Sequence, residues 1–292
     1  MKKLIYLISS AIILILGGCS DFFVSEVDPD TLPDQKSKLV VYGFIQSGNL
    51  LKVDVSYSIP YFTTDTSQSR LISNAVVIVT YKNTDYNFLF NPELGYYQYK
   101  DGQIIHFNPN DTVFLKVEAP GFETVTAQSI IPDKIPELLD NIKIDTTSQT
   151  QWFNNEKFLN IYCYFVDVKD VVNIYQPALW AYYKMDTGMG DIAFFDPSES
   201  VLSDANRDGD TIAVRFSQYL GNVVFDNLKD SVDFILTTYD YDAGMYVKSR
   251  DKQNQSDPGN PFVEPVIIYS NIKNGLGVFG TATNYAIKLR IK

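Results

Sequence analysis

Apolar and polar residues alternate in short runs over the first half of the chain, which is the pattern of half-buried β-strands. Two such runs, residues 39–45 and 51–57, flank Ser47-Gly48-Asn49, a hairpin signal. Further runs of the same kind occupy residues 75–81, 86–90, 96–99, 113–118 and 122–127. Short strands at this spacing predict a β-sandwich over residues 38–131.

The second half of the chain also favours strands. Pro132 and Pro136 mark a predicted hinge, because proline holds the backbone extended. The polar stretch that follows, to residue 150, is predicted to lead into a second unit. Predicted strands then occupy residues 158–168, 179–185, 192–195, 211–216, 232–241, 265–269 and 285–291.

One segment of the second half, residues 242–255, predicts a helix instead. Asp242 is the candidate N-cap, since a carboxylate there can accept an otherwise unpaired backbone N–H. The expected fold is therefore mainly all-β: the β-sandwich over residues 38–131, and a second β-rich domain over residues 132–292 with one short helix.

The start of the chain has the pattern of an export signal. Lys2 and Lys3 precede an apolar run over residues 4–16, too short for a membrane-spanning helix but suited to the core of a signal peptide. The run ends in Leu16-Gly17-Gly18-Cys19, which resembles a bacterial lipobox. The resemblance implies removal of residues 1–18, a diacylglyceryl group on Cys19 and a flexible tether over residues 19–37. The alternatives are an ordinary secretory signal with a coincidental cysteine, and an uncleaved anchor.

Charge and cysteine content narrow the classes of partner. The chain has 35 acidic and 24 basic residues, with a formal net charge of −11. An acidic surface repels phosphate groups, which argues against nucleic-acid binding and leaves membrane attachment to the lipid. Cys163 is the only cysteine after Cys19, so an internal disulfide in the mature chain is not expected. Its apolar surroundings predict a small buried side chain.

A run of acidic residues offers a candidate calcium loop: Asp204, Asn206, Asp208 and Asp210, with a glycine at position 209. Oxygen ligands at alternate positions suit Ca²⁺. An EF-hand would place a bidentate glutamate at the twelfth position, where this chain has Arg215. The alternative interpretation is an acidic turn before the strand at 211–216.

The sequence offers no catalytic residues. His106 is the only histidine, so a Ser-His-Asp triad lacks support. Two carboxylates would suffice for a glycosidase, but no pair can be chosen among 35 acidic residues. Aromatic content is 14%, which fits either sheet packing or a sugar-binding surface.

Two resemblances to known families extend this interpretation. Residues 74–78, Gly95-Tyr96-Tyr97 and residues 119–122 resemble motifs of transthyretin-like and carboxypeptidase-regulatory-like sandwiches. Residues 167–170, 173–175, 260–265 and 270–280 resemble the domain-of-unknown-function 4249 family. That resemblance implies a Bacteroidota outer-membrane lipoprotein, often encoded beside a TonB-dependent receptor, without an established activity.

The expected function is accordingly that of a non-enzymatic outer-membrane lipoprotein that assists or regulates a TonB-dependent receptor. The alternatives are a stand-alone surface module for a glycan or peptide, and a carboxylate-based glycosidase. The glycine-rich segment 270–280 is predicted to form an ordered turn on the second domain, with receptor contact as the alternative. Leu276 and Phe279 are the interface candidates.

Overall fold

The structure is a computed structural model that describes residues 36–46, 48–60, 69–132, 135–151, 154–184, 190–205, 207–219, 228–256 and 266–291. The chain is mainly β, as the sequence predicts. The described residues within 38–58 and from 69 onward belong to one compact unit. The predicted domain boundary at residue 132 falls within this unit and stays a prediction.

The first seven strands form an antiparallel sheet in the order β7-β6-β3-β4-β5-β2-β1. The alternation along them is that of the sequence: in β1, every second residue is buried. Their buried side chains share one apolar core. The bounds are β1 Leu39–Ile45, β2 Val53–Tyr57, β3 Val76–Tyr81, β4 Thr84–Asn91, β5 Tyr96–Tyr99, β6 Thr112–Glu118 and β7 Val125–Ile130.

The later strands continue in the order β15-β14-β10-β11-β13-β9-β8, with β12 paired to β10, and surround a second apolar core. Cys163 on β9 is fully buried in that core, as predicted, and burial raises the pKa of its thiol to about 12. The bounds are β8 Glu137–Gln151, β9 Asn154–Val166, β10 Ile174–Lys184, β11 Gly190–Pro197, β12 Leu202–Ser203, β13 Thr211–Tyr219, β14 Leu228–Tyr239 and β15 Leu276–Arg290.

Strand β15 connects the two sets of strands. Residues 276–281 pair with β1 in parallel, and residues 282–290 pair with β14 in antiparallel. Phe279 lies in the first core and Leu289 in the second. The glycine-rich turn expected at 270–280 is therefore a strand from Leu276 onward, and it packs on the first sheet. Gly277 is required there, because a Cβ would lie 2.0 Å from the Val41 carbonyl oxygen.

The helix α1, Tyr241–Gln255, lies close to the predicted bounds but is capped two residues earlier than expected. Asp240, not Asp242, is the N-cap, and its Oδ1 accepts the Ala243 N–H at 2.7 Å. The helix packs directly on β15 at Gly280, where a Cβ would lie 2.6 Å from the Ala243 Cβ. This close approach fixes α1 over the junction of the two sheets.

The polar stretch after the predicted hinge was expected to be a connection, but it is a strand. Glu137–Gln151 is a 15-residue strand, β8, paired with β9 along most of its length. Leu138, Ile142 and Ile144 pack half-buried on the second core. Only these three positions and Leu139 are apolar in the 15 residues, so the segment lacks the regular alternation that predicts a strand.

Candidate functional site

An open groove crosses the outer face of the first sheet. Side chains of β1 alternate between the two faces of the sheet. Tyr42 and Phe44 therefore lie half-buried on the groove floor, between fully buried neighbours. Asp54 of β2 lies opposite Tyr42 in the antiparallel register, so its side chain shares that face. Tyr96 of β5 adds a third ring, and all four side chains line one depression of about 510 Å³.

Helix α1 forms one wall of the groove. The Tyr246 ring lies 5.7 Å from the Tyr42 ring and 6.3 Å from the Phe44 ring, centre to centre. The Arg250 guanidinium lies 5.9 Å from the centre of the Tyr246 ring, within range of a cation–π contact. Burial, together with a hydrogen bond to Tyr246, raises the pKa of Tyr42 to about 12. The Tyr42 phenol therefore stays neutral at physiological pH.

A second depression, of about 350 Å³, continues from the first at Phe44. Tyr239 of β14 contributes another ring, and its hydroxyl donates to Gln176 Oε1 at 2.7 Å. Asn254 and Gln46 add further amide groups to the lining. We call the two adjoining depressions the aromatic groove. Volumes of this size are typical of small-molecule sites.

Each depression of the aromatic groove is lined by one cationic and one anionic side chain. Lys52 and Asp54 line one depression, and Arg250 and Asp251 line the other. Burial raises the pKa of Asp54, while the nearby Lys52 lowers it. The carboxylate of Asp251 is already engaged, since Ser200 Oγ donates to it at 2.6 Å. The lining thus consists of aromatic faces and amides, with equal numbers of positive and negative side chains.

Asp240 holds the framework behind the groove together. Its Oδ1 caps α1, while its Oδ2 accepts Ser129 Oγ at 2.5 Å and the Thr281 N–H at 3.0 Å. Ser129 is on β7 and Thr281 on β15, so a single carboxyl joins the helix to both strands. Burial raises the pKa of Asp240 to about 6, although these hydrogen bonds lower it.

The structure places the candidate calcium residues in a hydrogen-bonded loop between β12 and β13. Asp204 Oδ2 accepts the Asn173 N–H at 2.9 Å, and Asp208 Oδ1 accepts the Asp170 N–H at 2.7 Å. Asn206 lies outside the described residues, and Asp210 is exposed. Among the residues that the structure describes, no group of three or more His, Cys, Asp or Glu side chains could hold a metal ion. The calcium site stays a prediction.

The same loop explains one family motif. Asp167 accepts the Tyr175 hydroxyl at 2.5 Å through Oδ1 and the Gly209 N–H at 2.9 Å through Oδ2. Burial, and then the Asp167 hydrogen bond, raise the pKa of Tyr175. The motif residues at 167–175 therefore tie the β9–β10 connection to the loop before β13. They form a structural junction, and Ile174 at its end packs in the same apolar cluster as Tyr239 and Phe44 of the groove.

The remaining candidate residues from the sequence differ in their exposure to solvent. Phe279 is fully buried and belongs to the first core, and its role as an interface residue stays a prediction. Leu276 is 41% exposed and remains an interface candidate. His106 is exposed. Cys19 lies outside the described residues.

Sequence reasoning did not identify the aromatic groove. Its residues come from β1, β2, β5, β14 and α1, which are distant in the chain and carry no shared motif. One local signal was available: Tyr42 and Phe44 occupy the outward positions of β1, where a half-exposed strand usually carries polar residues. Two adjacent outward rings indicate a surface that something covers or binds.

Comparison with protein-family profiles gives the family. The profile described as "Domain of unknown function (DUF4249)" matches residues 24–287. The chain belongs to this family. A comparison with curated proteins finds no match. Within the described part of this family member, no helix is long and apolar enough to cross a membrane.

Proposed function

We propose that this protein is a non-enzymatic binding protein of the bacterial outer membrane, anchored by a lipid on Cys19 and accessory to a TonB-dependent receptor. The observation that carries the binding role is the aromatic groove. Rings from β1 and β5 and the amide of Asn254 on α1 converge on one open surface. Aromatic surface with a few placed polar groups is the composition of a recognition site.

The engaged carboxylates support binding over catalysis. Asp204, Asp208 and Asp167 each accept a backbone N–H, and Asp251 accepts Ser200. A glycosidase needs one carboxylic acid and one carboxylate free to face the scissile bond. These side chains instead hold loops and the helix in place, which favours a rigid scaffold for recognition.

The lipobox sequence and the acidic composition support the location. Two or more acyl chains on one residue give stable anchoring, and a net charge of −11 gives little attraction to anionic headgroups. The family resemblance supports the receptor as partner.

Co-purification tests this proposal. A C-terminally tagged wild-type protein is recovered from outer membranes in mild detergent, with Cys19→Ala as the control, and its partners are identified by mass spectrometry. We expect a TonB-dependent receptor with the wild type and its loss with the control. Equal recovery of every receptor in both samples would contradict the accessory role.

A further inference from the structure

We propose that the aromatic groove binds a neutral oligosaccharide. The inference rests on the proposed function, because it names the class of ligand that a non-enzymatic binding protein would hold at this site. It concerns the residues of the groove alone and does not depend on which receptor the protein assists.

The rings provide the apolar part of the recognition. Tyr42, Phe44 and Tyr96 are half-buried, so part of each ring faces the groove while the rest is held by the sheet. A pyranose has a flat face of C–H groups that packs on an aromatic face, and held rings lose little conformational entropy on binding. Three rings along two adjoining depressions suit more than one sugar unit.

The amides provide the polar part. Gln46, Gln176 and Asn254 each carry two N–H donors and a carbonyl acceptor. Sugar hydroxyls donate and accept as well, so side chains with both capacities match them better than a single charge does. The Gln176 carbonyl already accepts the Tyr239 hydroxyl, and among the residues that the structure describes no acceptor takes the Gln176 N–H groups, which can therefore bind a ligand.

The charges favour a neutral ligand. Lys52 is accompanied by Asp54, and Arg250 by Asp251, so the lining has no net charge. Both cations also lie over rings: Lys52 Nζ is 4.9 Å from the centre of Tyr96, and Arg250 is 5.9 Å from that of Tyr246. An anionic polymer would meet the two carboxylates without a surplus of positive charge in return.

Two other classes of ligand fit less well. A peptide that adds as a strand needs an unpaired edge, whereas β1 pairs with β2 on one side and β15 on the other. An acyl chain favours an enclosed apolar cavity, whereas this groove is open and carries amides and charged groups along its length. A sugar chain lying across the sheet face satisfies both the rings and the amides.

Native affinity electrophoresis of the full mature protein tests the proposal. Gels contain dextran, mannan, xylan, laminarin or starch as neutral probes, polygalacturonate as an anionic probe, or no polysaccharide. The variants are Tyr96→Ala and Asn254→Ala. The matched control is Tyr162→Ala on β9, another half-buried tyrosine with a lysine 5.0 Å from its ring centre. Far-UV circular dichroism and thermal melting verify that each variant folds.

We expect at least one neutral polysaccharide to retard the wild type and the Tyr162→Ala control equally. Tyr96→Ala and Asn254→Ala should each weaken that binding, with about a tenfold loss for the ring, because a few anchoring residues dominate a binding site. Equal mobility of the wild type in all gels would overturn the inference. Retardation by polygalacturonate alone, or undiminished retardation of both folded groove variants, would overturn it too.

These results separate the ligand from the proposed function. A protein that co-purifies with the receptor but ignores every polysaccharide refutes the sugar site and leaves the accessory role intact. A protein that binds a neutral polysaccharide through Tyr96 but enriches no receptor supports the sugar site, and contradicts the accessory role in favour of a stand-alone module.

Discussion

Asp240 should make the protein more stable as the solution becomes mildly acidic. Burial raises its folded-state pKa from 3.8 to about 6. The folded chain therefore takes up this proton at a higher pH than the unfolded chain does. The resulting stability is fully present below pH 3.8, the ordinary pKa of an aspartate, and is lost as the pH rises through 6.

The size of the effect follows from that elevation. Each pKa unit corresponds to about 1.36 kcal/mol, so the full contribution is roughly 3 kcal/mol. Between pH 7.5 and 4.5 the wild type should gain roughly 2 kcal/mol of unfolding free energy from this group. Asp240→Asn removes the titration. It also turns an N–H₂ group toward the Thr281 N–H or, in the other amide orientation, toward the Ala243 N–H, which costs about 1–3 kcal/mol at every pH.

Urea unfolding at pH 7.5, 6.0 and 4.5, followed by far-UV circular dichroism, measures this. The informative quantity is the difference between wild type and Asp240→Asn, since the titration of the other carboxylates is common to both. On acidification from pH 7.5 to 4.5, the unfolding free energy of the wild type should rise by roughly 2 kcal/mol relative to that of Asp240→Asn. Glu123→Gln, at an exposed position, is the matched control and should show no such change. The reasoning would be refuted if this difference did not depend on pH, or if acidification stabilised Asp240→Asn relative to the wild type.

Three further predictions concern stability and cleavage. Asp204→Ala should destabilise the protein by about 1–3 kcal/mol in chelator as well as in calcium, because the Asn173 N–H loses its partner. If thermal melts show that the variant is less stable than the wild type only when calcium is present, the calcium loop is established instead. Phe279→Ala should cost about 3–5 kcal/mol in urea unfolding, and Leu276→Asp much less, because Leu276 is 41% exposed; equal costs would contradict the core position of Phe279. Limited proteolysis should cut in the tether before Lys38 and no further into the hinge region than residue 136, since β8 pairs with β9 from Glu137 onward; a cut within β8 would contradict this pairing.

Strands with regular alternation could be predicted from the sequence. In β1, Leu39, Val41 and Ile45 face the core while Tyr42 and Phe44 face outward, and that period of two is visible in the chain itself. The same holds for most strands of the first sheet. Burial on one face gives these segments both their apolar pattern and their structure, so the pattern predicts the element.

Elements stabilised by distant partners could not be predicted in this way. β8 is largely polar and becomes a strand through its pairing with β9. Residues 276–281 are glycine-rich because Val41 and α1 approach the backbone closely, and neither neighbour is local. The N-cap of α1 was misplaced by two residues because Asp240 and Asp242 both suit a cap. Contacts with Ser129 and Thr281 select Asp240.

The aromatic groove was missed for the same physical reason. Tyr42, Tyr96 and Tyr246 come together only when β1, β5 and α1 are folded, and no spacing in the chain records that proximity. The acidic loop shows the opposite case. Asp204 and Asp208 are near in sequence and suggested a metal, but in the fold each carboxylate binds a backbone N–H.

Metabolic labelling with palmitate tests the central claim, an envelope protein held by its lipid, most directly. Wild type and Cys19→Ala are expressed in the same cells, and labelled protein is compared with total protein on a gel. The account predicts a labelled, shortened wild type in the outer-membrane fraction and an unlabelled, unprocessed Cys19→Ala precursor. Palmitate in Cys19→Ala, or an unlabelled wild type, would contradict it.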